Sequence, residues 1–226
     1  MPKGCLLYYI SDRSAFPGDE RARRLHLLDK IAESASQCVD YIQLREKDLS
    51  TRDLESLARE AMQIIRNQQP KTGNGKPETA LLINSRTDVA IATAASGVHL
   101  RANDVSPQEV RTAWQRSCGA GALAREDSPP DPVIAVSCHS PQEVAKAAAN
   151  QATLAVFAPV FEKKDAQPMG LEALHQACQA RIPVLALGGV TLQNTESCLQ
   201  AGAAGIAAIR LFQENDIATI VRKLRS

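Results

Sequence analysis

"VIAVSCHSPQEVAKAAANQATLAVFAPV", residues 133–160, holds one whole unit of the fold. The run 133–138 is short, apolar and β-rich, and reads as a strand. Ser140-Pro141 follows, a cap residue ahead of a first-turn proline. The alanine-rich stretch 141–150 reads as a helix, and a second apolar run at 154–160 as the next strand. Outward from this unit the alternation continues. Strands are expected at 5–11, 41–45, 80–84, 97–100, 184–189 and 205–209. Helices are expected at 20–37, 50–68, 86–95, 107–117, 170–179, 191–201 and 214–225. Ser50-Thr51-Arg52-Asp53 and Ser106-Pro107 supply further helix starts.

Strand and helix in strict alternation imply a parallel sheet. Eight repeats imply a closed (β/α)8 TIM barrel, an α/β fold whose usual size this chain approaches with 226 residues. The rival, an open doubly wound sheet, favours a G-x-G-x-x-G turn after the first strand, and "ISDRSAFPG" has none. One domain is expected over 1–226. The loops 67–77 and 119–132 fall between a helix and the next strand. They therefore belong to the N-terminal rim, away from chemistry.

Hydrophobic residues make up 44% and charged residues 23%, which fits a soluble globular chain. Aromatics are only 4%, so the core is built from Ala, Leu, Ile and Val. A net charge of +1 gives no global field toward nucleic acid or a membrane surface. Anion binding must be local. The N-terminal apolar run is too short for a signal peptide, and no stretch reaches the ~18–20 apolar residues of a membrane span. The six cysteines, Cys5, Cys38, Cys118, Cys138, Cys178 and Cys198, form no C-x-x-C pair. Reduced thiols in the cytoplasm are expected, with Cys138 a small buried apolar group.

Barrel enzymes carry their chemistry at the C-terminal strand ends. "YIQLREKD", residues 41–48, is the most charged of these. Strand alternation puts Gln43, Arg45 and Lys47 on one face and Ile42 and Leu44 on the other. The polar face aims an amide and two cations at something anionic. The competing reading is a salt-bridged strand end, with Glu46 and Asp48 neutralising the cations.

"QLREKD", "GVHL", "SCHS" and "IPVLALGGV", in this order, resemble the thiamine phosphate synthase family and its thiazole tautomerase relatives. The resemblance runs from Tyr9 to Phe212. It implies a (β/α)8 barrel that joins hydroxymethylpyrimidine diphosphate to thiazole phosphate, with Mg²⁺, releasing pyrophosphate. By the same resemblance Gln43, Arg45 and Lys47 contact the pyrophosphate. Ser137 sits near the leaving group, and Asn84 opens the motif after the third strand. Backbone N–H groups of Gly188 and Gly189 bind the thiazole phosphate. His139 matches the proton-shuttling histidine of the tautomerases, or hydrogen-bonds structurally at the rim. His99 reads as a core histidine without a role. The partners implied are small phosphates of the thiamine pathway and, by resemblance alone, a second copy of the chain in a homodimer.

The sequence departs from the family at three places. Asn84-Ser85-Arg86 replaces Asn-Asp-Arg, so Ser85 stands where a metal-binding carboxylate is expected. Asp104 matches the second carboxylate, while Asp88 belongs to the next helix. The loop "PVFEKKDAQPMGLE" lacks the Thr-x-Thr-Lys stretch that wraps phosphates, leaving Lys163 and Lys164 as its cations. Arg210 replaces a serine after the last strand, where it compensates as a phosphate ligand, plugs the pocket or pairs with Asp12. A synthase is the leading reading. A thiazole tautomerase-like isomerase and a barrel that binds a thiamine-pathway phosphate without turnover are the alternatives.

Overall fold

The computed structural model describes residues 4–68, 79–119, 131–162 and 167–225. Eight parallel strands close into a barrel in sequence order. They are β1 (Leu6–Ile10), β2 (Tyr41–Leu44), β3 (Ala80–Asn84), β4 (Gly97–Leu100), β5 (Val133–Cys138), β6 (Leu154–Phe157), β7 (Val184–Ala186) and β8 (Gly205–Ala208). Closure comes from β8 pairing with β1, Gly205 opposite Leu6 and Ala208 opposite Tyr9. Between and after them run α1 (Glu20–Ser36), α2 (Thr51–Gln68), α3 (Thr87–Ala92), α4 (Pro107–Gly119), α5 (Pro141–Ala149), α6 (Gly170–Ala177), α7 (Thr195–Gln200), α8 (Arg210–Gln213) and α9 (Ile217–Arg225).

Alternation along each strand sorts the core into two layers. Leu7, Tyr9, Ile42, Leu44, Leu81, Ile83 and Val98 face outward and pack against helix residues such as Leu27, Ile31 and Leu57. Tyr8, Ile10, Leu82, Ala135, Val156, Leu185 and Ala207 fill the barrel interior. The helix caps form as expected. Ser140 Oγ accepts the Glu143 N–H, Ser50 Oγ accepts that of Asp53, and Ser106 Oγ accepts that of Glu109. At the opposite end of the barrel, Arg225 of α9 grips Asp40 and the carbonyls of Cys5 and Cys38, and so ties the C-terminus to the start of β1 and β2.

Several boundaries differ from expectation, three of them near the C-terminal end of the barrel. The sixth strand stops at Phe157, not 160, and its ladder gives way to the cis Ala158–Pro159 bond, where proline has no N–H to donate. The seventh stops at Ala186, not 189, because Gly188 and Gly189 turn into left-handed backbone, φ +94° and +66°. The last expected helix begins at Ile217, not 214, and an unexpected four-residue helix, α8, precedes it. The loops expected at 67–77 and 119–132 lie mostly outside the described residues, as do Lys163 and Lys164.

Candidate active site

The C-terminal end of the barrel gathers the polar residues named from the sequence. The strand face carrying Gln43 and Arg45 turns inward, while Ile42 and Leu44 face the helix layer. Gln43 is buried, and neither its amide nor that of Asn84 hydrogen-bonds to any described residue. Asn84 pairs in register with His99, one strand over.

The acidic residues of "REKD" do not pair with Arg45. They belong to Arg13, in the short 3-10 turn after β1. The Arg13 guanidinium is 5% exposed and reaches three carboxylates. Nη1 donates to Glu46 at 3.1 Å, Nη1 and Nη2 fork onto Asp48 at 2.7 and 2.8 Å, and Nε donates to Glu20 at 2.7 Å. Glu46 also accepts the Ser11 hydroxyl and the Arg13 N–H. The fork from Arg13 holds the Asp48 carboxyl below the usual carboxylate range. Ser11 Oγ in turn accepts the backbone N–H of Arg45 at 2.9 Å. The network therefore fixes the backbone under Arg45 and takes its acidic neighbours away. The Arg45 guanidinium is half-buried and makes no hydrogen bond or ion pair with any described residue. Lys47 is exposed at the same rim.

His99, read from the sequence as a core residue without a role, is buried but central. Tyr8 Oη lies 2.9 Å from its Nδ1, and Ser137 Oγ lies 2.8 Å from its Nε2. Burial lowers the His99 pKa to about 3, helped by the Arg45 charge and opposed by Asp104, so the ring is neutral. Burial also raises Tyr8 well above an ordinary phenol. Direction follows from counting protons. Nδ1 is the one described partner of the Tyr8 hydroxyl, and a buried hydroxyl proton left without an acceptor costs about 1–3 kcal/mol. Tyr8 therefore donates to Nδ1, the proton of the ring sits on Nε2, and Nε2–H donates to Ser137. The Ser137 proton is then left for an acceptor in the barrel mouth. Alternation was the available signal: Tyr8, His99 and Ser137 all occupy inward positions of their strands. Nitrogen-15 spectra of the labelled protein should show His99 protonated on Nε2. Tyr8→Phe should mix the two tautomers and lower stability by about 1–3 kcal/mol. A wild-type ring protonated on Nδ1 would contradict this direction.

His139 is exposed just past β5. Its Nδ1–H donates to the Ala158 carbonyl at 2.7 Å, and its backbone N–H donates to Glu143 at 2.6 Å. The ring ties the end of β5 to the end of β6.

The loops after β6 and β7 are seated on each other. Val160 N–H donates to the Leu187 carbonyl and Phe161 N–H to that of Gly188. A Cβ on Gly188 would meet Pro159 Cα at 2.7 Å, and one on Gly189 would meet Phe161 Cβ at 2.8 Å. With the positive φ angles, this explains both glycines without a ligand. No described acceptor takes the N–H of either. Beside them, across the β7–β8 pair, α8 begins, and the first N–H groups of a helix have no partner within it. Loops after the seventh and eighth strands with a short extra helix are the common phosphate site of such barrels. Arg210 is the first residue of α8 and is exposed, so it plugs nothing. It does not pair with Asp12, whose carboxylate accepts the Ser14 hydroxyl and whose carbonyl accepts from Gln213.

Asp104, expected to hold Mg²⁺, and the neighbouring Asp88 do not form a cage. Asp88 is on α3, paired with Arg86 at 2.6 Å. Asp104 Oδ2 accepts the Ser85 hydroxyl at 2.7 Å and the Arg101 N–H at 2.8 Å. Its Oδ1 faces Arg101 Nε at 3.2 Å and Nη2 at 3.1 Å. Burial opposes ionisation of Asp104, but the Arg101 N–H, the Ser85 hydroxyl and the guanidinium together hold its carboxyl below the usual range. Among the described residues no group of three or more His, Cys, Asp or Glu converges on one point.

Known proteins resemble this chain in sequence and fold. A family model described as thiamine monophosphate synthase matches residues 7–212. A putative thiamine-phosphate synthase 2 of Aquifex aeolicus is 33% identical over 92% of this chain and 97% of its own length. A thiamine-phosphate synthase of Methanoculleus marisnigri is 35% identical over 97% and 93%. The solved structure of a thiamine phosphate pyrophosphorylase from Pyrococcus furiosus superimposes with a TM-score of 0.74 at 25% identity, covering 97% of this chain and 93% of the other.

Proposed function

The chain belongs to the thiamine monophosphate synthase family, and from that premise we propose how its own residues perform the condensation. It is a transferase that joins hydroxymethylpyrimidine diphosphate to thiazole phosphate, giving thiamine phosphate and pyrophosphate. The pyrimidine methylene–oxygen bond breaks, and its electron pair leaves with the diphosphate. The thiazole nitrogen then donates its lone pair to the methylene cation, and the new carbon–nitrogen bond leaves the charge on the thiazolium ring.

Such a reaction asks the protein for two things, stabilisation of a departing polyanion and alignment of two rings. The observation that carries the reading is Arg45. Its backbone at the C-terminal end of β2 is held by the Ser11 hydroxyl, while Glu46 and Asp48 are occupied by Arg13. An arginine with no carboxylate partner among the described residues, on the strand face of Gln43 and next in register to Asn84, is placed to fork onto phosphate oxygens. Lys47 adds a point charge, and Ser137 donates the proton that the His99 tautomer leaves free. The N–H groups of Gly188 and Gly189, with Arg210 and the start of α8, take the thiazole phosphate. Lys163 and Lys164, which follow Glu162 in the sequence and lie outside the described residues, are proposed as further cations for that phosphate. The family uses Mg²⁺ generally, but the residues at Asp104 do not fit a protein-held ion, and no step here depends on one.

The partners are small phosphates. No helix among the described residues is long and apolar enough to cross a membrane. Burial pushes the thiols of Cys5, Cys138, Cys178 and Cys198 up to about 11 or 12, which suits the cytoplasm. A homodimer is proposed on the family resemblance alone.

Pyrophosphate release tests the reading. It should need both substrates together. Release from the pyrimidine diphosphate alone at the same rate would indicate a hydrolase instead.

A further inference from the structure

Asp104 has closed its acceptor positions on its own neighbours. A carboxylate offers about four lone-pair sites. Here they meet the Ser85 hydroxyl, the Arg101 N–H, Arg101 Nε and Arg101 Nη2, at 2.7, 2.8, 3.2 and 3.1 Å. Mg²⁺ binds oxygens near ~2.1 Å in strict octahedral geometry. A site whose oxygens are met by four N–H and O–H donors, two of them on a guanidinium, is built for a different cation. The arrangement is set by the backbone. Ser85 is held in left-handed conformation, φ +56°, with its N–H on the His99 carbonyl at 2.8 Å. That turn presents the hydroxyl to Asp104. Arg101 follows β4 at the C-terminal rim, and its side chain is 69% exposed. Two of its five guanidinium N–H donors face Asp104, and the others are open to an incoming anion.

We propose that Arg101, seated on Asp104 and Ser85, supplies to the diphosphate the positive charge that a bound metal supplies in relatives with two carboxylates here. Diphosphate binding by this chain is then independent of a protein-held Mg²⁺. The inference rests on the synthase reading for the identity of the ligand. A guanidinium can meet a phosphate with two parallel N–H bonds, so the exchange of cation keeps charge and gains direction.

The test is calorimetric titration of the full chain with inorganic pyrophosphate, in EDTA and in Mg²⁺. The wild type should bind in EDTA. Arg101→Ala should weaken that binding about ten- to a hundredfold, the worth of one charged hydrogen bond, and Arg101→Lys should recover part of it. Ser85→Asp sets two carboxylates side by side and should make pyrophosphate binding require Mg²⁺. Wild-type binding that appears only with Mg²⁺ would overturn the inference. So would an Arg101→Ala variant that matches the wild type, a Ser85→Asp variant that stays indifferent to Mg²⁺, or no pyrophosphate binding at all. Because the titration reads an anion and not turnover, a wild type that binds pyrophosphate through Arg101 but makes no thiamine phosphate would sink the synthase reading and leave this one standing.

Discussion

Replacing Arg45 by alanine lowers thiamine phosphate formation about a hundred- to a thousandfold, the usual cost of losing one charge-stabilising donor. The fold should barely notice. The contact that holds this residue, its N–H on Ser11 Oγ, belongs to the backbone and survives. The side chain makes no hydrogen bond or ion pair with any described residue, so truncation removes a half-buried cation that the fold does not use. A group held open in this way is expected to act on the ligand. The loss should fall mainly on kcat, because the diphosphate gains charge as the methylene–oxygen bond breaks. Arg45→Lys keeps the charge without the fork and should recover only part of the rate. Steady-state kinetics with a thermal melt on each variant would check this. A rate near that of the wild type would remove Arg45 from the site.

Arg13 should behave in the opposite way. Arg13→Met is expected to cost about 3–5 kcal/mol, the range for removing one partner of a buried ion pair. In a chain of this size that lowers the melting temperature by roughly 6–20 °C. Glu46 is the reason. Its side chain is 2% exposed, and without the guanidinium it is a buried anion with only the Ser11 hydroxyl and one N–H for company. Removing the anion as well, in Arg13→Met with Glu46→Gln, should restore much of the loss, because the desolvated charge is then gone. Activity should fall in the single variant even well below its melting point, since Ser11 and the backbone under Arg45 are part of the same network. Urea denaturation of the two variants and the wild type would measure it. A cost under about 1 kcal/mol would mean that water reaches Glu46 and that the network is not what fixes the strand end.

How far the sequence could be read depends on the range of each signal. The barrel was legible because its units are local: an apolar run, a cap such as Ser140-Pro141, an alanine-rich helix, another run. Alternation also placed Gln43 and Arg45 together and turned Ile42 and Leu44 to the helices. Partners were not legible. Arg13 and Glu46 are 33 residues apart, and only closure of β1 onto β2 brings them together. The sequence therefore offered Arg45 and Lys47 as the nearest cations for those acids, and the fold chose another. His99 looked like a core residue because it is one, and its two hydrogen bonds reach 91 and 38 residues along the chain. α8 was missed because four residues carry no periodicity. The sixth and seventh strands were drawn too long because "APV" and "LGG" continue the apolar run after the ladder has ended. The loss of the aspartate at Ser85 was plain in the sequence. That Arg101 and Ser85 would close around Asp104 was not, since it needed the left-handed turn at Ser85.

The most direct measurement is of the product itself. The purified full chain is incubated with hydroxymethylpyrimidine diphosphate and thiazole phosphate, in EDTA and in Mg²⁺, and thiamine phosphate is quantified after oxidation to its fluorescent form. Product well above a control without enzyme, reduced at least a hundredfold by Arg45→Ala, is what the open guanidinium at the barrel mouth predicts. No product in either condition, from folded protein and beside an active synthase, would contradict it.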